Sequence, residues 1–449
     1  MSHCTTSVIY QRTSLSWLWI LLLLILQPNF DDGATLARTM SLGEVLHQVE
    51  QNAPILKAAQ ANARIYKANR NILRSKLFGS IEAYANDFHF NDDRLTRPIS
   101  PPINMSTLTY DNNQIGYGFS AGLPVDIAGH IRYKVSALGH QANAAQADAD
   151  NVGLNLLHDA AAIYRGLEEI TGQKEALQKQ AEALAGHIKI VTTAIQVGRI
   201  APVEKLRLVA ELKNVEGQLA GLDGTEAALR AQLASLMNAP AFPDSVPVTE
   251  ETPVPLQTSL NKLTDRPDLK AAQERKDATH AGVIAAKVSF LPEFLATANW
   301  QQNQGYNGSG RDYPTWQVTF LARLPLWTGG QRRAEIGQAK AQDQATQYQL
   351  LALQEKARAE FVASQGKWEA GKIQHEAARS ALDAAEELAR IQSDRFTEGR
   401  LSAADLVDAE ATLERARSES ITSLVNWWLA DDAIRRTMGL PPAAFDVTE

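Results

Sequence analysis

The side chains able to do chemistry in this chain are few and mostly badly placed for it. Its nine histidines are scattered, and no H-E-x-x-H, G-x-S-x-G or P-loop pattern occurs. His187 and His375 fall on helical stretches without partners at ligand spacing, which reads as solvated or structural. Of five methionines one is the initiator, and the other four are too dispersed to form a soft-metal relay. No catalytic residue, metal site or cofactor is expected. The exception is a group of acids after Gly399-Arg400. Ser402-Ala-Ala-Asp405 has the spacing of a helix cap, with the acid at the positive end of the helix. Asp408 lies one turn further on, where capping has less need of it. Glu204 stands in the corresponding turn after Gly198-Arg199.

That correspondence extends over nearly the whole chain. Asn52-Ala-Pro54-Ile-Leu56-Lys57-Ala58-Ala59-Gln60 returns as Asp265-Arg-Pro267-Asp-Leu269-Lys270-Ala271-Ala272-Gln273, an offset of 267 − 54 = 213. Leu123-Pro124 with Gly129 returns as Leu324-Pro325 with Gly330, an offset of 324 − 123 = 201 that persists at Gly198 against Gly399 and Met237 against Met438. The first copy therefore carries 213 − 201 = 12 extra residues between Asn86 and Leu123, expected in a loop. A period this long is a duplicated fold rather than a solenoid. Residues 38–240 form the first repeat and 264–441 the second. A proline-rich segment, 241–263, lies between them, and 442–449 is a tail.

Within each repeat a short helix leads into two strands, then a very long helix and a returning one. Ser41 and Glu44 make a capping box ahead of the first helix. Ile115, Tyr117, Phe119, Ala121 and Leu123 then alternate with small residues, and Trp316, Val318, Phe320, Ala322 and Leu324 alternate with mostly polar ones. That period of two marks strands with one apolar face. Gly79–Phe90 and Pro292–Gln301 are the expected partner strands, joined by loops at Asn91–Asn113 and Gln302–Pro314. Helical stretches without proline run from about His130 to Val197 and from about Gln331 to Glu398. Gly198 and Gly399 end them. In the first returning helix Leu208, Leu212, Val215, Leu219, Leu222, Leu229, Leu233 and Leu236 make a 4-3 seam broken at Glu226. The seam fits a coiled coil, or the core stripe of a bundle.

The N-terminus carries Arg12, an apolar run from Leu15 to Leu26 and small residues at Gly33–Ala37. This is the layout of a secretory signal peptide, 1–37, with cleavage after Ala34 or Ala37; the run is short for a spanning helix. Cys4, the single cysteine, would leave with it, so disulfides and a lipid-bearing cysteine are not expected. A net charge of −7 and a pI near 5.8 give no footprint for nucleic acid. Exported chains can still span a membrane as a β-barrel, but four strands cannot close one, since such barrels begin at eight.

The motifs, in this order and doubled, resemble those of the TolC-like outer-membrane efflux proteins. The resemblance runs from about Ser41 to Pro441. It rests on the x-P-x-L-K-A-A starts, the Leu-Pro strand ends, the Gly-Arg turns, and Asn426-Trp-Trp-Leu-Ala430 with Met438-Gly439-Leu440. It implies a mainly α fold with a β-barrel part, in which three chains pool four strands each into a 12-stranded barrel. The long helices would form a hollow periplasmic cylinder. It implies an outer-membrane homotrimer in a Gram-negative cell, in contact with lipid, docked to a periplasmic adaptor and an inner-membrane transporter. Such a duct would be passive and not an enzyme. Asp405 and Asp408 match two aspartates ringing the periplasmic entrance, where carboxylates from three chains would repel one another and attract cations. Glu204 matches an acid of the entrance latch. Phe396 replaces a tyrosine of that latch, and an arginine is replaced by Leu401 with Arg400 one position earlier. Gly198, Arg199, Gly399 and Arg400 mark the adaptor-docking turns, and Tyr117, Phe119, Trp316 and Phe320 the lipid-facing side. A periplasmic adaptor or a coiled-coil protein without a pore are the alternatives, the first weakened by the lack of a lipoyl-like β-domain. No motif specifies the cargo, and efflux and type I secretion use similar ducts.

Overall fold

The computed structural model describes residues 39–96, 99, 101–198, 201–243, 246–248, 251–256, 260–306 and 314–448. The signal-peptide expectation for 1–37 and the Arg199 position lie outside the described residues. Ser41 opens helix α1 (Leu42–Asn52) with the expected capping box: its Oγ accepts the Glu44 N–H at 3.3 Å, and the Glu44 carboxylate accepts the Ser41 N–H at 2.9 Å. Pro54 then starts α2 (Pro54–Ser75), where its missing N–H costs nothing. Strands β1 (Ser80–Leu95) and β2 (Tyr110–Val125) lead to α3 (His130–Gln196) and α4 (Pro202–Leu236). The second copy repeats the order as α5 (Pro267–Val288), β3 (Glu293–Gly305), β4 (Thr315–Arg323), α6 (Gln331–Thr397) and α7 (Ala403–Thr437).

Three helix pairs of the duplication match to the residue. Helices α2 and α5 are 22 residues each, and their starts differ by 267 − 54 = 213. Helices α3 and α6 have 67 residues each and differ by 331 − 130 = 201; α4 and α7 have 35 each and differ by 403 − 202 = 201. At 1.5 Å per residue the longer pair spans about 100 Å. Among the described residues no helix is long and apolar enough to cross a membrane.

The strands form one antiparallel sheet in the order β1-β2-β3-β4. The two copies thus meet through β2 and β3, where Phe119 pairs with Trp300. The first hairpin is longer than the sequence pattern suggests. Pairing runs past Phe90 to Leu95↔Tyr110, with a register shift between His89 and Arg94. Strands β1 and β2 have 16 residues each, against 13 and 9 for β3 and β4, so much of the extra length lies in strand rather than loop. Phe90–Asp93 have no register partners, and the ladder resumes beyond this interruption at Arg94↔Asp111. Gly118 in β2 faces Tyr84, its register partner. A Cβ there would meet the Tyr84 hydroxyl at 2.9 Å and the Trp300 carbonyl closer still, so glycine is required.

The helical seam splits into two apolar clusters. Leu233, with partly buried Leu229 and Leu236, joins Tyr164, Leu157 and α1 near mid-height, where the Tyr164 hydroxyl donates to the Met40 carbonyl at 2.8 Å. Leu208 and Val215, with Leu212, Leu219 and Leu222, join Leu184, Val191, Phe396 and Leu406 near the tip. Glu226 breaks the seam because Lys174 reaches it at 2.7 Å and Arg230 also pairs with it. The proline-rich segment lies against the helices: Phe242 and Val246 join the first cluster, and Trp428 Nε1 donates to the Glu251 carbonyl at 2.9 Å.

Candidate functional site

The acids of interest sit at the far end of the helices from the sheet. Gly198 and Gly399 adopt φ of +70° and +74°, the left-handed conformation that ends α3 and α6. At the second turn Gly399 N–H donates to the Phe396 carbonyl and Arg400 N–H to the Arg395 carbonyl, both at 2.9 Å, which satisfies the last carbonyls of α6. The Arg400 guanidinium is exposed and lies 3.2 Å from Glu398.

Helix α7 begins immediately afterwards. Ser402 Oγ accepts the Asp405 N–H at 3.2 Å and donates to Asp405 Oδ2 at 2.7 Å. Asp405 therefore fills the capping role its spacing suggests. Asp405 and Asp408 are nevertheless both exposed, three residues apart on one side of α7, while Ala403, Leu406, Ala409 and Glu410 are buried on the other. The helix presents a pair of carboxylates outward from its own core.

Glu204 does something its spacing does not reveal. It is the counterpart of Asp405, since 405 − 204 = 201. The N-cap of its own helix is Ala201, whose methyl group cannot cap. Glu204 instead accepts the Ala403 N–H at 3.2 Å, across 199 residues of sequence. The first copy thus caps the returning helix of the second. Ala201 in place of Ser402 is the signal that Glu204 lacks a local partner.

Phe396 is buried, not lining a gap. Its ring stands edge-on to His187, 5.6 Å between centroids at 87°. His187 Nε2 lies 3.4 Å from Glu410 Oε1, with both side chains buried. His187 is therefore structural, tying α3 to α6 and α7. Sequence reasoning missed Glu410 because its partner lies 223 residues away. His375 is also buried, 3.2 Å from Ser423 Oγ, and burial lowers its pKa.

A second polar cluster, also unforeseen, lies at mid-height. Arg165 and Glu168 form a buried pair at 2.7 Å, and Arg165 stacks 4.4 Å over Trp428. Beside them burial pushes the Asp432 carboxyl up to about 6, and Asp431 accepts from Trp368 Nε1 at 3.0 Å. Burial pushes His158 down to about 4, while its Nε2 meets the Leu440 carbonyl at 2.9 Å. Among the described residues no three His, Cys, Asp or Glu side chains gather closely enough to hold a metal.

At the opposite end, the sheet has two chemically distinct faces. The register puts Tyr117, Phe119, Trp316 and Phe320 on one of them, 41%, 55%, 77% and 81% exposed, together with Ile81, Val318 and Trp300. Trp300 bridges the copies, with ring centroids 6.0 Å from Phe119 and 6.4 Å from Tyr117. The other face carries Glu82, Ser120, Asn299, Gln317, Thr319 and Arg323.

The fold has known relatives. Residues 45–239 and 261–440 match the family model described as outer membrane efflux protein. The multidrug resistance outer membrane protein MdtP of Escherichia coli is 26% identical over 231 residues, 50% of this chain and 47% of that protein. The chain thus spans about half the length of that curated relative. The outer membrane efflux protein BepC of Brucella suis is 22% identical over 368 residues, 79% of this chain and 75% of BepC. The open state of the MtrE outer membrane channel of Neisseria gonorrhoeae superposes with a TM-score of 0.76 at 20% identity, covering 89% of both chains. That likeness shows a common fold, the long helical hairpins and the barrel strands together.

Proposed function

The chain belongs to the outer membrane efflux protein family, and we propose that it is a trimeric exit duct in the outer membrane of a Gram-negative cell. One observation carries this reading. A four-stranded sheet with an exposed aromatic face, its two edges unpaired among the described residues, continues into helices of 67 residues each. Open edges cannot rest in lipid, where every backbone group needs a partner. Three copies closing edge to edge supply those partners and give the eight or more strands a barrel needs. Tyr117, Phe119, Trp316 and Phe320 then face lipid, and Ser120, Thr319 and Arg323 face the lumen.

In this arrangement the helices cross the periplasm and their tips form the inner entrance. Asp405 and Asp408 of three chains surround it as a negative ring. Glu204, Phe396 and Arg400 hold the tip closed, Glu204 by its bond to α7 and Phe396 by its packing on His187. The turns at Gly198–Arg199 and Gly399–Arg400 meet a periplasmic adaptor, which links the duct to an inner-membrane transporter that supplies the energy. MdtP's name makes small organic molecules the first cargo to try. The duct itself conducts and does not catalyse.

Membrane fractionation and mass measurement test the reading. The detergent-solubilised protein should come from the outer membrane as three chains. A folded monomer stable in aqueous buffer without detergent would overturn it and favour a coiled-coil protein without a pore.

A further inference from the structure

A cavity of about 370 Å³ lies where the ends of β2, β3 and β4 meet α2 and α3, within the range of small-molecule sites. Its apolar lining includes Leu73, Ile131, Leu295 and Leu321, and three cations, Lys76, Lys134 and Arg323, stand around it. Leu295, Leu321 and Arg323 belong to the sheet face opposite Phe119 and Phe320, the side assigned to the lumen.

The local charge is not balanced from within. Asp126, the lining acid on the helix side, is already engaged: it accepts the N–H groups of Ile131 and Arg132 at 3.0 and 2.9 Å and the Arg132 guanidinium at 3.3 Å. Glu293 also lines the cavity, opposite Arg323 in the register, and offsets one of the three cations, which leaves the other two without a counter-charge from the lining. Among the described residues neither Arg323 nor either lysine closes an ion pair. His130 adds a buried Nε2 with no hydrogen-bond partner among the described residues.

The second copy serves as an internal control. If these cations were needed to join a sheet to a helix, the second junction would carry them too. Lys76 corresponds to Ser289 (289 − 76 = 213), and Lys134 to Glu335 (335 − 134 = 201). There Arg332 covers the Phe290 ring at 5.4 Å and bonds the Pro325 carbonyl at 3.2 Å. Arg323, on β4 of the second copy, corresponds to Gly122 (323 − 122 = 201), so none of the three cations recurs at its equivalent position and their charge is not a demand of the architecture.

We propose that this cavity binds a single-tailed amphipathic anion in transit, with its tail against Leu73, Leu295 and Leu321 and its headgroup among Lys76, Lys134, Arg323 and His130. An organic carboxylate or sulfate fits both halves of the site. The inference rests on the channel reading and narrows its cargo.

Planar-bilayer recordings with the intact trimer test it, using dodecanoate as the probe and dodecyltrimethylammonium as its cationic control. Dodecanoate should block native current at lower concentration than the ammonium does. In K76Q/K134Q/R323Q its half-blocking concentration should rise roughly tenfold, as charge-assisted bonds to one headgroup are lost, with the ammonium little changed. Leu321→Trp, which fills the apolar half and leaves the cations in place, should weaken dodecanoate block as well and decides the matter if the triple variant fails to assemble. Equal block by both amphiphiles, or undiminished dodecanoate block in Leu321→Trp and the triple variant, would overturn the proposal. Stronger block by dihexanoyl phosphatidylglycerol than by dodecanoate would assign the site to a lipid headgroup and overturn the cargo reading. A conducting native trimer without block sinks this site alone, whereas a native trimer without current sinks the channel reading beneath it.

Discussion

The two copies agree in the lengths of the three helices they share, α2 with α5, α3 with α6 and α4 with α7, and disagree at the tip. In the second copy Ser402 and Asp405 cap their own helix. In the first, Ala201 offers no cap and Glu204, the counterpart of Asp405, reaches across to α7 instead. The second copy places the bulky Phe396 in the shared core, where the first has the partly buried Ile195. Duplication fixed the scaffold twice and left the small positions free to differ. One hairpin serves as clamp and the other as the element clamped.

The sharpest way to break this asymmetry is to truncate the core at equivalent positions. Phe396→Ala should cost about 3–5 kcal/mol by leaving a cavity beside His187. Ile195→Ala should cost less, because its side chain is only partly buried. Thermal unfolding of the trimer compares the two, and a larger loss at Ile195 would reverse the assignment of clamp and clamped. The barrel, by contrast, should treat the copies alike. Phe119→Lys and Phe320→Lys should each cost about 2–4 kcal/mol near the membrane midplane, whereas Ser120→Lys on the other face should cost far less. Equal trimer yield from all three on heat-modified gels would show that the faces are exchanged.

Mid-height offers a third contrast, between Asp432 and its counterpart Ala231. Burial raises the folded-state pKa of Asp432 to about 6, above its ordinary 3.8. The folded chain therefore holds a proton the unfolded one releases. The resulting stability is fully present below the unfolded value and is lost as pH rises through about 6. Asp432→Asn should raise the Tm near neutral pH and flatten its dependence on pH over that window. An unchanged Tm–pH profile would show the group to be solvated.

Smaller effects separate the two caps. Glu204→Ala and Asp405→Ala should each cost about 1 kcal/mol, yet only the first should loosen contact between the copies and raise channel conductance. The smallest effect on stability belongs to Asp408→Ala, whose side chain is exposed. If Asp408 belongs to a negative ring, trivalent cations added from the periplasmic side should block the native channel and block this variant less. Unchanged block in the double variant with Asp405→Ala would return both residues to capping and surface roles.

Much of this was legible beforehand because it is periodic. Alternation at Tyr117–Phe119 and Trp316–Phe320 gave the strand faces, and the offset pairs gave the helix ends. The strand extension to Leu95 was not legible, because pairing is interrupted over Phe90–Asp93 and resumes only at Arg94, beyond residues that carry no alternation. The Glu204–Ala403 bond, the His187–Glu410–Phe396 contact and the Arg165–Asp432 neighbourhood were hidden for a different reason. Each joins residues some 200 positions apart or more, and no local signal reports such a distance.

Equal helix lengths also govern how such a gene can change. The two long helices stand like staves of one cask, fixed to the same sheet at one end and meeting at the same tip at the other. Inserting a single residue into either would turn everything beyond it by about 100° and raise it by about 1.5 Å, unseating Phe396 from His187. Insertions in the staves should therefore survive only when matched in both and in phase with the seam. The 12 residues by which the copies differ lie in the hairpin, where the chain projects past its last shared contact and no twin has to follow.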